Sequence, residues 1–403
     1  MIEIKEKSKC CGCTACQSAC PKMCIEMIPD EEGFLYPKVD QRKCVNCGAC
    51  EKVCPFITGF KKNPAIESLV VRNSENQILD NSTSGGAFSA LAMYALEQNG
   101  VAYGCICDNK MHIVHACTDD TGVELSAFRG SKYVQSEIQG IFHKVEKNLK
   151  EGRFVTFSGT YIGVPCQIGG LKKFLKKDYE NLLTVEVICH GTPSPYLWKL
   201  YVEWMKAKYK SNPVQFSFRK KTYGYHSGTM EVLFEDGQKY TGSARVDLML
   251  KSFFSEISSR QSCYGCPCKG LERPADISIY DCWNADKLIE GLEDDDRGYT
   301  NVMVNTDRGR KAIDYCKKRK LLWMQSVSTE KAIGYDGIMV CNYPHKHKNR
   351  EQFYKTVKDE GIYKAVQRYI PISRKDYMIE NSKQLIYRAG LIEIARKVKG
   401  RCK

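Results

Sequence analysis

The stretch CCGCTACQSACP at residues 10–21 decides the fold of the first part of the chain, and its spacing recurs in CVNCGACEKVCP at residues 44–55. Both copies read Cys-x2-Cys-x2-Cys-x3-Cys-Pro. This short spacing lets three thiolates wrap one face of a metal cluster from a single loop. Zinc prefers sites built from two separated ligand pairs, and it gives no reason for a fourth cysteine followed by proline. The pattern therefore predicts two cluster-binding loops.

The spacing is that of two-cluster bacterial ferredoxins, in which the fourth cysteine of each run ligates the other cluster. One [4Fe-4S] cluster is therefore expected on Cys10, Cys13, Cys16 and Cys54. The second is expected on Cys44, Cys47, Cys50 and Cys20. Cys11 and Cys24 lie outside the pattern and are predicted to be packing residues. Nothing in this module suggests an organic substrate, so its predicted role is to carry electrons.

Composition favours a soluble metalloprotein. The chain has 403 residues and 22 cysteines, whereas a disulfide-rich secreted protein would be short and would carry an export signal. The opening residues, MIEIKEKSK, have no apolar core, and the longest nearly apolar run, 87–96, is too short to cross a bilayer. Because cysteines in a reducing cytosol serve metal binding, catalysis or packing, we expect a cytoplasmic protein with metal centres.

The chain is basic, with a formal net charge of +14. Three thiolate-bound clusters, at roughly −2 each when oxidised, would leave a balance of about +8. The excess basic residues form short clusters at 172–177, 219–221, 317–320 and 346–350. These clusters are interpreted either as solvated helix faces or as a landing surface for an acidic cofactor or protein. They contain no recognisable nucleic-acid recognition element, so no nucleic-acid partner is expected.

After a linker at 59–65, the pattern changes to alternating strands and helices. ESLVVRN predicts a strand, and AFSALAMYAL predicts a helix with an apolar face. Between them, NSTSGG (81–86) would expose backbone N–H groups to an anion, or would simply cap the helix. VAYGCICD and HIVHACT predict a hairpin. Neither a dinucleotide-binding fingerprint nor a phosphate-binding P-loop is present.

Two single cysteines follow predicted strands in the middle of the chain. RFVTFSG (153–159) predicts a strand that leads through a loop carrying Cys166 into a helix from about residue 167. NLLTVEVIC (181–189) predicts a strand that ends at Cys189. Ligands of open α/β sheets gather at such strand ends. Each cysteine alone would be an ordinary core residue, but together with SCYGCPCKG (262–270) they form a candidate ligand set. His190 is expected to be a loop residue without a chemical role.

Six segments, in order, resemble one known family. They are NSTSGGAFSALA, FRGSKYVQS, PCQIGGLKKFL, CHGTPSP, RQSCYGCPCKGLERPADISIYDCW and EDDDRGYTNVMVNT. In this order they resemble the beta subunits of coenzyme F420 hydrogenase and dehydrogenase, whose relatives include 7-hydroxymethyl chlorophyll a reductase. The resemblance runs from about residue 66 to about residue 355, and a two-cluster ferredoxin module is a common companion of such chains.

The resemblance implies a flavoprotein with FAD and a third [4Fe-4S] cluster. Residues implied to lie near the flavin are Ser84, Gly85, Gly86, Ser131, Lys132 and Tyr133. Lys132 would meet the pyrophosphate charge. The implied ligands of the third cluster are Cys166, Cys189, Cys263 and Cys266. The chain departs from the family by an insertion at 161–164 and by Cys282, a spare thiol near the site. Cys268 and Cys282 are the alternative ligands.

The expected fold class is α+β, with a small two-cluster ferredoxin-like domain followed by an α/β flavin-binding domain with a mixed sheet. The expected divisions are a ferredoxin domain at 1–60, an N-terminal flavin-binding region at 66–150, a C-terminal region with the third cluster at 151–355, and a helical tail at 356–403. The end of the tail, 383–403, is predicted to be a basic amphipathic helix that covers the core, docks a partner or contacts a membrane surface.

The predicted function is that of an iron–sulfur flavoprotein oxidoreductase. It would pass electrons between an organic two-electron partner, F420H2-like or other, and the [4Fe-4S] clusters through FAD. The alternative is a non-catalytic electron-delivery subunit for a partner enzyme, for example in surface-polysaccharide biosynthesis. Either function requires a redox partner protein or a small-molecule electron donor or acceptor. No residue of the sequence indicates a catalytic group or the direction of electron flow.

Overall fold

The computed structural model describes residues 1–159 and 164–391. Most of the predicted insertion at 161–164 lies outside these residues. Outside them too are Ile392, Val398 and Cys402 of the predicted tail helix.

The described residues contain strands in three sheets. The strands are β1 (Ile25–Pro29), β2 (Leu35–Val39), β3 (Glu67–Asn73), β4 (Val101–Cys107), β5 (Ile113–Thr118), β6 (Val155–Gly159), β7 (Leu182–Val187), β8 (Pro213–Lys220), β9 (Thr229–Phe234), β10 (Lys239–Ser243), β11 (Ile277–Cys282), β12 (Tyr299–Val304) and β13 (Leu322–Val327).

The helices of the described residues range from single turns to fifteen residues. They are α1 (Ala15–Ser18), α2 (Ala49–Lys52), α3 (Pro55–Thr58), α4 (Asn76–Asp80), α5 (Ala87–Leu96), α6 (Val123–Ala127), α7 (Ile141–Lys150), α8 (Pro165–Leu175), α9 (Pro195–Tyr209), α10 (Leu248–Phe254), α11 (Ala285–Leu288), α12 (Asp307–Lys318), α13 (Thr329–Asp336), α14 (Ile338–Cys341), α15 (Arg350–Glu360), α16 (Ile362–Tyr369) and α17 (Arg374–Arg388).

The first sixty residues form a small unit with internal repetition. β1 and β2 pair as an antiparallel hairpin. In each cysteine run, a residue with left-handed backbone comes directly before a one-turn helix: Thr14, at φ 63°, before α1 and Gly48, at φ 71°, before α2. This backbone turn folds each run around its cysteines. The fold is the ferredoxin-like module that the spacing predicts.

An eight-stranded mixed sheet forms the centre of the remaining chain. Its order is β13-β3-β12-β11-β7-β6-β4-β5. Four neighbouring strands, β11, β7, β6 and β4, run parallel to one another, and the other strand pairs of the sheet are antiparallel. Consequently the carboxyl ends of four neighbouring strands meet at one edge of the sheet, where ligands of α/β sheets bind. The mixed sheet confirms the predicted fold class.

Strands from both sides of residue 150 belong to this sheet, because β3, β4 and β5 precede that residue and β6, β7, β11, β12 and β13 follow it. A second, three-stranded sheet has the order β10-β9-β8. It shares an apolar core with α9, α10, α15 and α16. The expected division at residue 150 therefore falls within one sheet.

Buried polar contacts fix the ferredoxin-like unit on the rest of the chain. Arg350 at the start of α15 holds Glu32 of the β1–β2 turn in a two-pronged ion pair, with Nη1–Oε1 at 2.7 Å and Nη2–Oε2 at 2.5 Å. The Arg350 side chain is fully buried. Arg260 donates to the backbone oxygens of Cys10 and Leu35, each at 2.8 Å. The clusters expected in this unit are thereby held at a fixed position relative to the sheet.

Several local predictions agree with the described elements, and two differ. The strand at 67–73, the helix at 87–96 and the β4–β5 hairpin are observed where expected. The helix expected from about residue 167 begins at Pro165, because proline is favoured at the first helical position. Cys166 therefore lies in the first turn of α8 and not in a loop.

The tail helix differs as well. α17 begins at Arg374, where Ser373 caps it with a hydrogen bond from the backbone N–H of Asp376. It ends at Arg388, because Gly390 follows in the left-handed conformation, with φ 68°. Leu385, predicted on the apolar face, is 66% exposed. No helix among the described residues is long and apolar enough to span a membrane.

Candidate cluster and cofactor sites

Two cavities in the ferredoxin-like unit are lined by the cysteines of the two runs. The outer cavity is lined by the thiols of Cys20, Cys24, Cys44, Cys47 and Cys50. The inner cavity is lined by Cys10, Cys11, Cys13, Cys16 and Cys54. The fourth cysteine of each run thus joins the first three of the other run. This crossed arrangement is the one expected from the spacing, and each cavity brings together the four predicted ligands plus one additional thiol.

The additional thiols, Cys24 and Cys11, contact predicted cluster ligands. The Sγ of Cys24 lies 3.4 Å from the Sγ of Cys20. The side chain of Cys11 contacts the thiols of both Cys13 and Cys166. Sequence reasoning placed Cys11 and Cys24 among the packing residues because they interrupt the pattern. Their contacts with predicted ligands depend on the folded loops, which spacing alone does not describe.

A third thiol cavity lies at the carboxyl edge of the central sheet. We call it the six-thiol cavity, and its thiols are those of Cys11, Cys166, Cys189, Cys263, Cys266 and Cys268. The structure thus brings all four predicted third-cluster ligands to one place. Cys189 lies two residues beyond β7, and Cys263 lies in a short 3-10 helix, Gln261–Gly265. Cys268 is also present, as the alternative ligand.

Cys282 lies elsewhere. It is the last residue of β11 and is buried with Val70, Ala285 and Tyr299. It is not among the described residues that line the six-thiol cavity. Side chains alternate between the two faces of a strand, and the preceding Asp281 lines a different cavity of the same sheet edge. Of the two alternative ligands, the position of Cys268 is the one compatible with a third cluster.

Three basic side chains border the six-thiol cavity: Arg260, Lys269 and Arg273. Lys269 donates to the carbonyl oxygen of Cys189 at 2.6 Å. Arg273 donates to the carbonyl oxygen of Cys268 at 2.7 Å and forms a buried ion pair with Glu186. Arg260 lies 3.7 Å from the Sγ of Cys10 as well as at this cavity. Sequence reasoning did not single out these cations, because only the fold brings them to the thiols.

Burial and charge act in opposite directions on these thiols. Burial raises the pKa of Cys189 to about 11, and the nearby Lys269 partly offsets that rise. Burial likewise raises the pKa of Cys10 to about 11, opposed by Arg260. A cluster needs thiolates, and a buried anionic centre requires compensating positive charge. The cations therefore suit an anionic thiolate-bound cluster in each cavity.

The thiols of each cavity come from separate segments of the chain and line one space. Such a donor set fits a multi-iron cluster, which is bound through one thiolate at each corner.

A fourth cavity, which we call the strand-end cavity, lies beside the six-thiol cavity. Its lining includes the apolar side chains of Phe88, Val187, Ile188 and Ile279. The hydroxyl-bearing residues Ser82, Thr83, Ser84 and Ser131 also line it. The Tyr280 hydroxyl at this cavity is buried and has no hydrogen-bond partner among the described residues. An apolar slot with a few polar groups is typical of a site for a planar organic cofactor.

Two glycines of the predicted flavin loop allow its close approach to the sheet. The Ser84 hydroxyl donates to the carbonyl of Tyr299 at 2.6 Å, and the Gly85 N–H donates to Thr300 Oγ1 at 2.8 Å. A Cβ at position 85 would lie 2.6 Å from the carbonyl oxygen of Val71, so only glycine fits there. Gly86 has φ 77° and precedes α5. Ser84 and Gly86 line the cavity, and Gly85 anchors the loop behind it.

The other predicted flavin residues, Ser131, Lys132 and Tyr133, lie in three different surroundings. Ser131 lines the strand-end cavity. Lys132 lines a larger, polar cavity next to it, and its ammonium group donates to the carbonyls of Ala127 and Arg129 at 3.0 and 2.8 Å. Burial lowers the pKa of Lys132 to about 8. Tyr133 is buried in the aromatic core, stacked on Phe253 at 4.3 Å between ring centroids. Tyr133 therefore anchors the segment 131–133 in the core and does not line either cavity among the described residues.

The strand-end cavity and the polar cavity share five residues: Ser82, Thr83, Arg129, Gly130 and Ser131. The polar cavity has a volume of about 440 Å³. The basic cluster 219–221 lies at the end of β8 and lines the polar cavity, so it is not a solvated helix face. Arg219 pairs with Asp281 at 2.6 Å in a buried contact. Lys221 donates to the carbonyls of Leu79 and Ser84.

His190 follows Cys189 in sequence, and its side chain contacts Glu256 and Phe253. Its Nε2 lies 3.0 Å from Glu256 Oε1, and its ring packs edge-on against Phe253. Burial lowers the pKa of His190. It is not among the described residues that line the strand-end or six-thiol cavity.

In the comparison with known proteins, two segments of the chain match family models. Residues 9–57 match a 4Fe-4S dicluster domain. Residues 159–330 match a family described as the C terminus of the coenzyme F420 hydrogenase/dehydrogenase beta subunit. A chain of the F420-reducing [NiFe] hydrogenase complex from Methanosarcina barkeri, solved as a xenon derivative, is similar at 17% identity. The match covers 76% of this chain and 92% of that one, with a TM-score of 0.44. No curated protein matches the chain.

Proposed function

We propose that this protein is an iron–sulfur flavoprotein oxidoreductase. The proposal is supported by the chain's match to a 4Fe-4S dicluster domain at residues 9–57 and to the C terminus of the coenzyme F420 hydrogenase/dehydrogenase beta subunit at residues 159–330. The protein exchanges electrons between an organic two-electron partner and its clusters. The proposal adds two cofactors to the dicluster domain: FAD at the strand-end and polar cavities, and a third [4Fe-4S] cluster at the six-thiol cavity.

The observation that carries the proposal is that four cavities follow one another through the molecule. Ile188 lines the strand-end cavity, and the next residue, Cys189, lines the six-thiol cavity. The six-thiol and inner cavities share Cys11 and Phe56. The inner and outer cavities meet at Cys50, whose Sγ accepts a hydrogen bond from the N–H of Ile2, a residue of the inner cavity, at 3.3 Å. This order suits stepwise electron transfer from an organic cofactor to the surface.

FAD, when bound, would supply the exchange between two-electron organic chemistry and one-electron cluster chemistry. The apolar wall at Val187 and Ile279 would contact its ring, and Tyr280 would offer its buried hydroxyl to a polar ring atom. The residues shared with the polar cavity, Arg129 among them, would hold the charged middle of the cofactor. An Arg guanidinium together with loop hydroxyls is well suited to a diphosphate.

Buried cations place positive charge beside the six-thiol and inner cavities. Arg260 stands between the six-thiol and inner cavities, stacked on Tyr36 with its guanidinium 4.3 Å from the ring centroid. Lys269 reaches the carbonyls of Cys189 and Met339, and Met339 lines the strand-end cavity. Reduction potentials of clusters depend on nearby charge, hydrogen bonds and exposure. These two side chains would therefore favour the reduced, more negative state of a cluster bound beside them.

The alternative function is that of an electron-delivery protein that depends on a partner enzyme. The observation in its favour is the exposure of Cys47 at the outer cavity, since an exposed ligand brings a cluster within reach of another protein. The two functions differ in whether the isolated chain oxidises an organic donor. If the chain only delivers electrons, the donor chemistry belongs to the partner.

Steady-state kinetics on the isolated, anaerobically purified chain separates these functions. F420H2 and NADH serve as donors, and a small neutral quinone serves as the acceptor. An oxidoreductase is expected to reduce the quinone with at least one of the donors. Bound flavin without turnover, in a protein whose clusters are reduced by dithionite, would favour the electron-delivery function. Absence of flavin would contradict the proposed function.

The flavin loop gives a direct test of the proposed cofactor site. Gly85→Ala is expected to lower the flavin content at least tenfold, because the new Cβ would lie 2.6 Å from the Val71 carbonyl oxygen and 2.7 Å from the Thr300 nitrogen. Both are backbone atoms of central strands, so the loop must move. Flavin released by acid is measured per chain by fluorescence. The iron content is expected to stay unchanged.

Gly334→Ala is the matched control, because an added Cβ there meets no atom within 4 Å. It lies in α13, where alanine is favoured over glycine. Equal flavin contents in the two variants would show that the loop at 81–86 does not hold the flavin.

A further inference from the structure

The two cluster cavities of the ferredoxin-like unit differ in how far the rest of the chain covers them. The inner cavity is covered by the central part of the chain: a Cβ placed on Gly170 of α8 would lie 2.8 Å from the Sγ of Cys13. Cys13, Cys16 and Cys54 are buried. At the outer cavity, Cys47 is exposed. Electrons that pass through the unit must therefore leave or enter at the outer cavity.

Apolar and basic residues line this cavity or adjoin its lining in sequence. Met1, Lys22, Val45 and Cys47 line it, and Met23 follows Lys22 while Arg42 and Lys43 precede Cys44. We call these seven residues the exit face. Met23 is 88% exposed and Val45 is 57% exposed. Single exposed apolar residues are ordinary, but two large ones beside an exposed cluster ligand are suited to a protein contact.

The outermost charges of the exit face are positive. The side chains of Arg42 and Lys43 are 93% and 68% exposed. Two carboxylates lie nearby and are more covered, Asp40 at 31% and Glu51 at 43%. Asp40 is paired with both basic side chains, and Glu51 is paired with the amino terminus at 3.2 Å. An approaching protein therefore meets the basic groups first.

We propose that the exit face docks a small acidic electron-carrier protein, with carboxylates around its own redox centre. The inference rests on the proposed electron-transfer function. Cys20, Cys44, Cys47 and Cys50 would hold the cluster of the outer cavity, and that cluster would supply one electron to the oxidised centre of the carrier or take one from its reduced centre. No bond breaks and no proton moves. Transient electron-transfer contacts are small, so the few residues of this face suffice.

The charge pattern predicts a rate effect that depends on ionic strength. Complementary charges raise the association rate of proteins at low salt, and the gain disappears when salt screens it. The probe is a plant-type ferredoxin, which is acidic, used in its oxidised form. The chain is reduced beforehand with dithionite, so that the measurement does not depend on an organic donor.

The test compares the wild-type chain with the double variant Arg42→Glu, Lys43→Glu by stopped-flow mixing with the oxidised ferredoxin. The variant is expected to transfer electrons about tenfold more slowly at low salt and at the wild-type rate at about 0.5 M salt. Both chains are expected to reduce a small neutral quinone equally fast, since the quinone carries no charge. Iron content confirms that the clusters are present in each.

The matched control is Lys317→Glu, Lys318→Glu, which makes the same charge change on exposed residues of α12. It is expected to transfer electrons to the ferredoxin at the wild-type rate. An equal loss of rate in both double variants would show that the effect comes from net charge, and it would overturn the proposal that the carrier docks at the exit face. Unchanged ferredoxin rates in Arg42→Glu, Lys43→Glu would overturn it too. Charge-dependent transfer without any organic-donor turnover would instead overturn only the proposed flavin chemistry.

Discussion

Replacing Cys189 by serine is expected to remove about four of about twelve irons, because each [4Fe-4S] cluster contributes four. Cys189 lies at the end of β7 in the six-thiol cavity, and its side chain is one of the four predicted ligands there. Its carbonyl accepts from Lys269, so the backbone stays anchored in the variant. The ferredoxin-like unit contains none of this segment and is expected to keep its iron.

Iron and acid-labile sulfide, measured per chain after anaerobic purification, check this prediction. Cys117→Ser serves as the control, because Cys117 is an exposed cysteine of β5 outside the thiol cavities. The control is expected to keep the wild-type iron content. Retention of all the iron in Cys189→Ser would contradict its assignment. Because Cys11 and Cys268 line the same cavity, the variants Cys11→Ser and Cys268→Ser then show which thiol ligates in its place.

Replacing Arg350 by alanine is expected to lower the free energy of unfolding by about 3–5 kcal/mol, since it leaves a buried carboxylate without its partner. Arg350 holds Glu32 through two hydrogen bonds, and its Nε donates to the Ser259 carbonyl at 2.8 Å. The pair joins the ferredoxin-like unit to α15. The variant is therefore also expected to slow electron transfer between the six-thiol and outer cavities.

Chemical denaturation followed by circular dichroism under anaerobic conditions measures this effect. Arg368→Ala is the matched control, because Arg368 makes a similar two-pronged contact with Glu360 at the surface, with both side chains largely exposed. Exposed ion pairs contribute little, so this control is expected to leave the unfolding midpoint nearly unchanged. If Arg350→Ala is no less stable than Arg368→Ala, the buried pair does not fasten the unit.

Local sequence patterns were sufficient to predict much of this structure. The spacing of the two cysteine runs predicted the crossed grouping in the outer and inner cavities. This succeeded because the runs lie on short loops whose geometry is set by a few residues, such as Thr14 and Gly48. Alternating patterns likewise predicted β3 and the β4–β5 hairpin. The contacts within a strand or a hairpin are between residues close in sequence, so a local pattern is informative about them.

Contacts between distant segments could not be predicted in this way. Arg260 reaches Cys10 from 250 residues away, and Arg350 reaches Glu32 across 318 residues. Neither arginine stands in a motif, and both would pass for surface residues in the sequence. The burial of Arg219 against Asp281 argues against the first of the two interpretations of its basic cluster, a solvated helix face, for the same reason. Charge patterns are informative about solvated surfaces only when the fold leaves them exposed.

The six-thiol cavity includes thiols that could be predicted from the sequence and one that could not. Resemblance to a family grouped Cys166, Cys189, Cys263 and Cys266, and the described residues bring these side chains to one cavity. Spacing gave no indication that Cys11 of the ferredoxin-like unit would contact Cys166. That contact depends on the docking of two units, and it places the inner and six-thiol cavities next to each other.

The most direct test of the proposed electron path is the content of iron, acid-labile sulfide and flavin in the anaerobically purified chain. Three [4Fe-4S] clusters and one flavin correspond to about twelve irons, about twelve sulfides and about one flavin per chain. That result is the one we expect. About eight irons without flavin would leave only the dicluster domain and would contradict the path through the strand-end and six-thiol cavities.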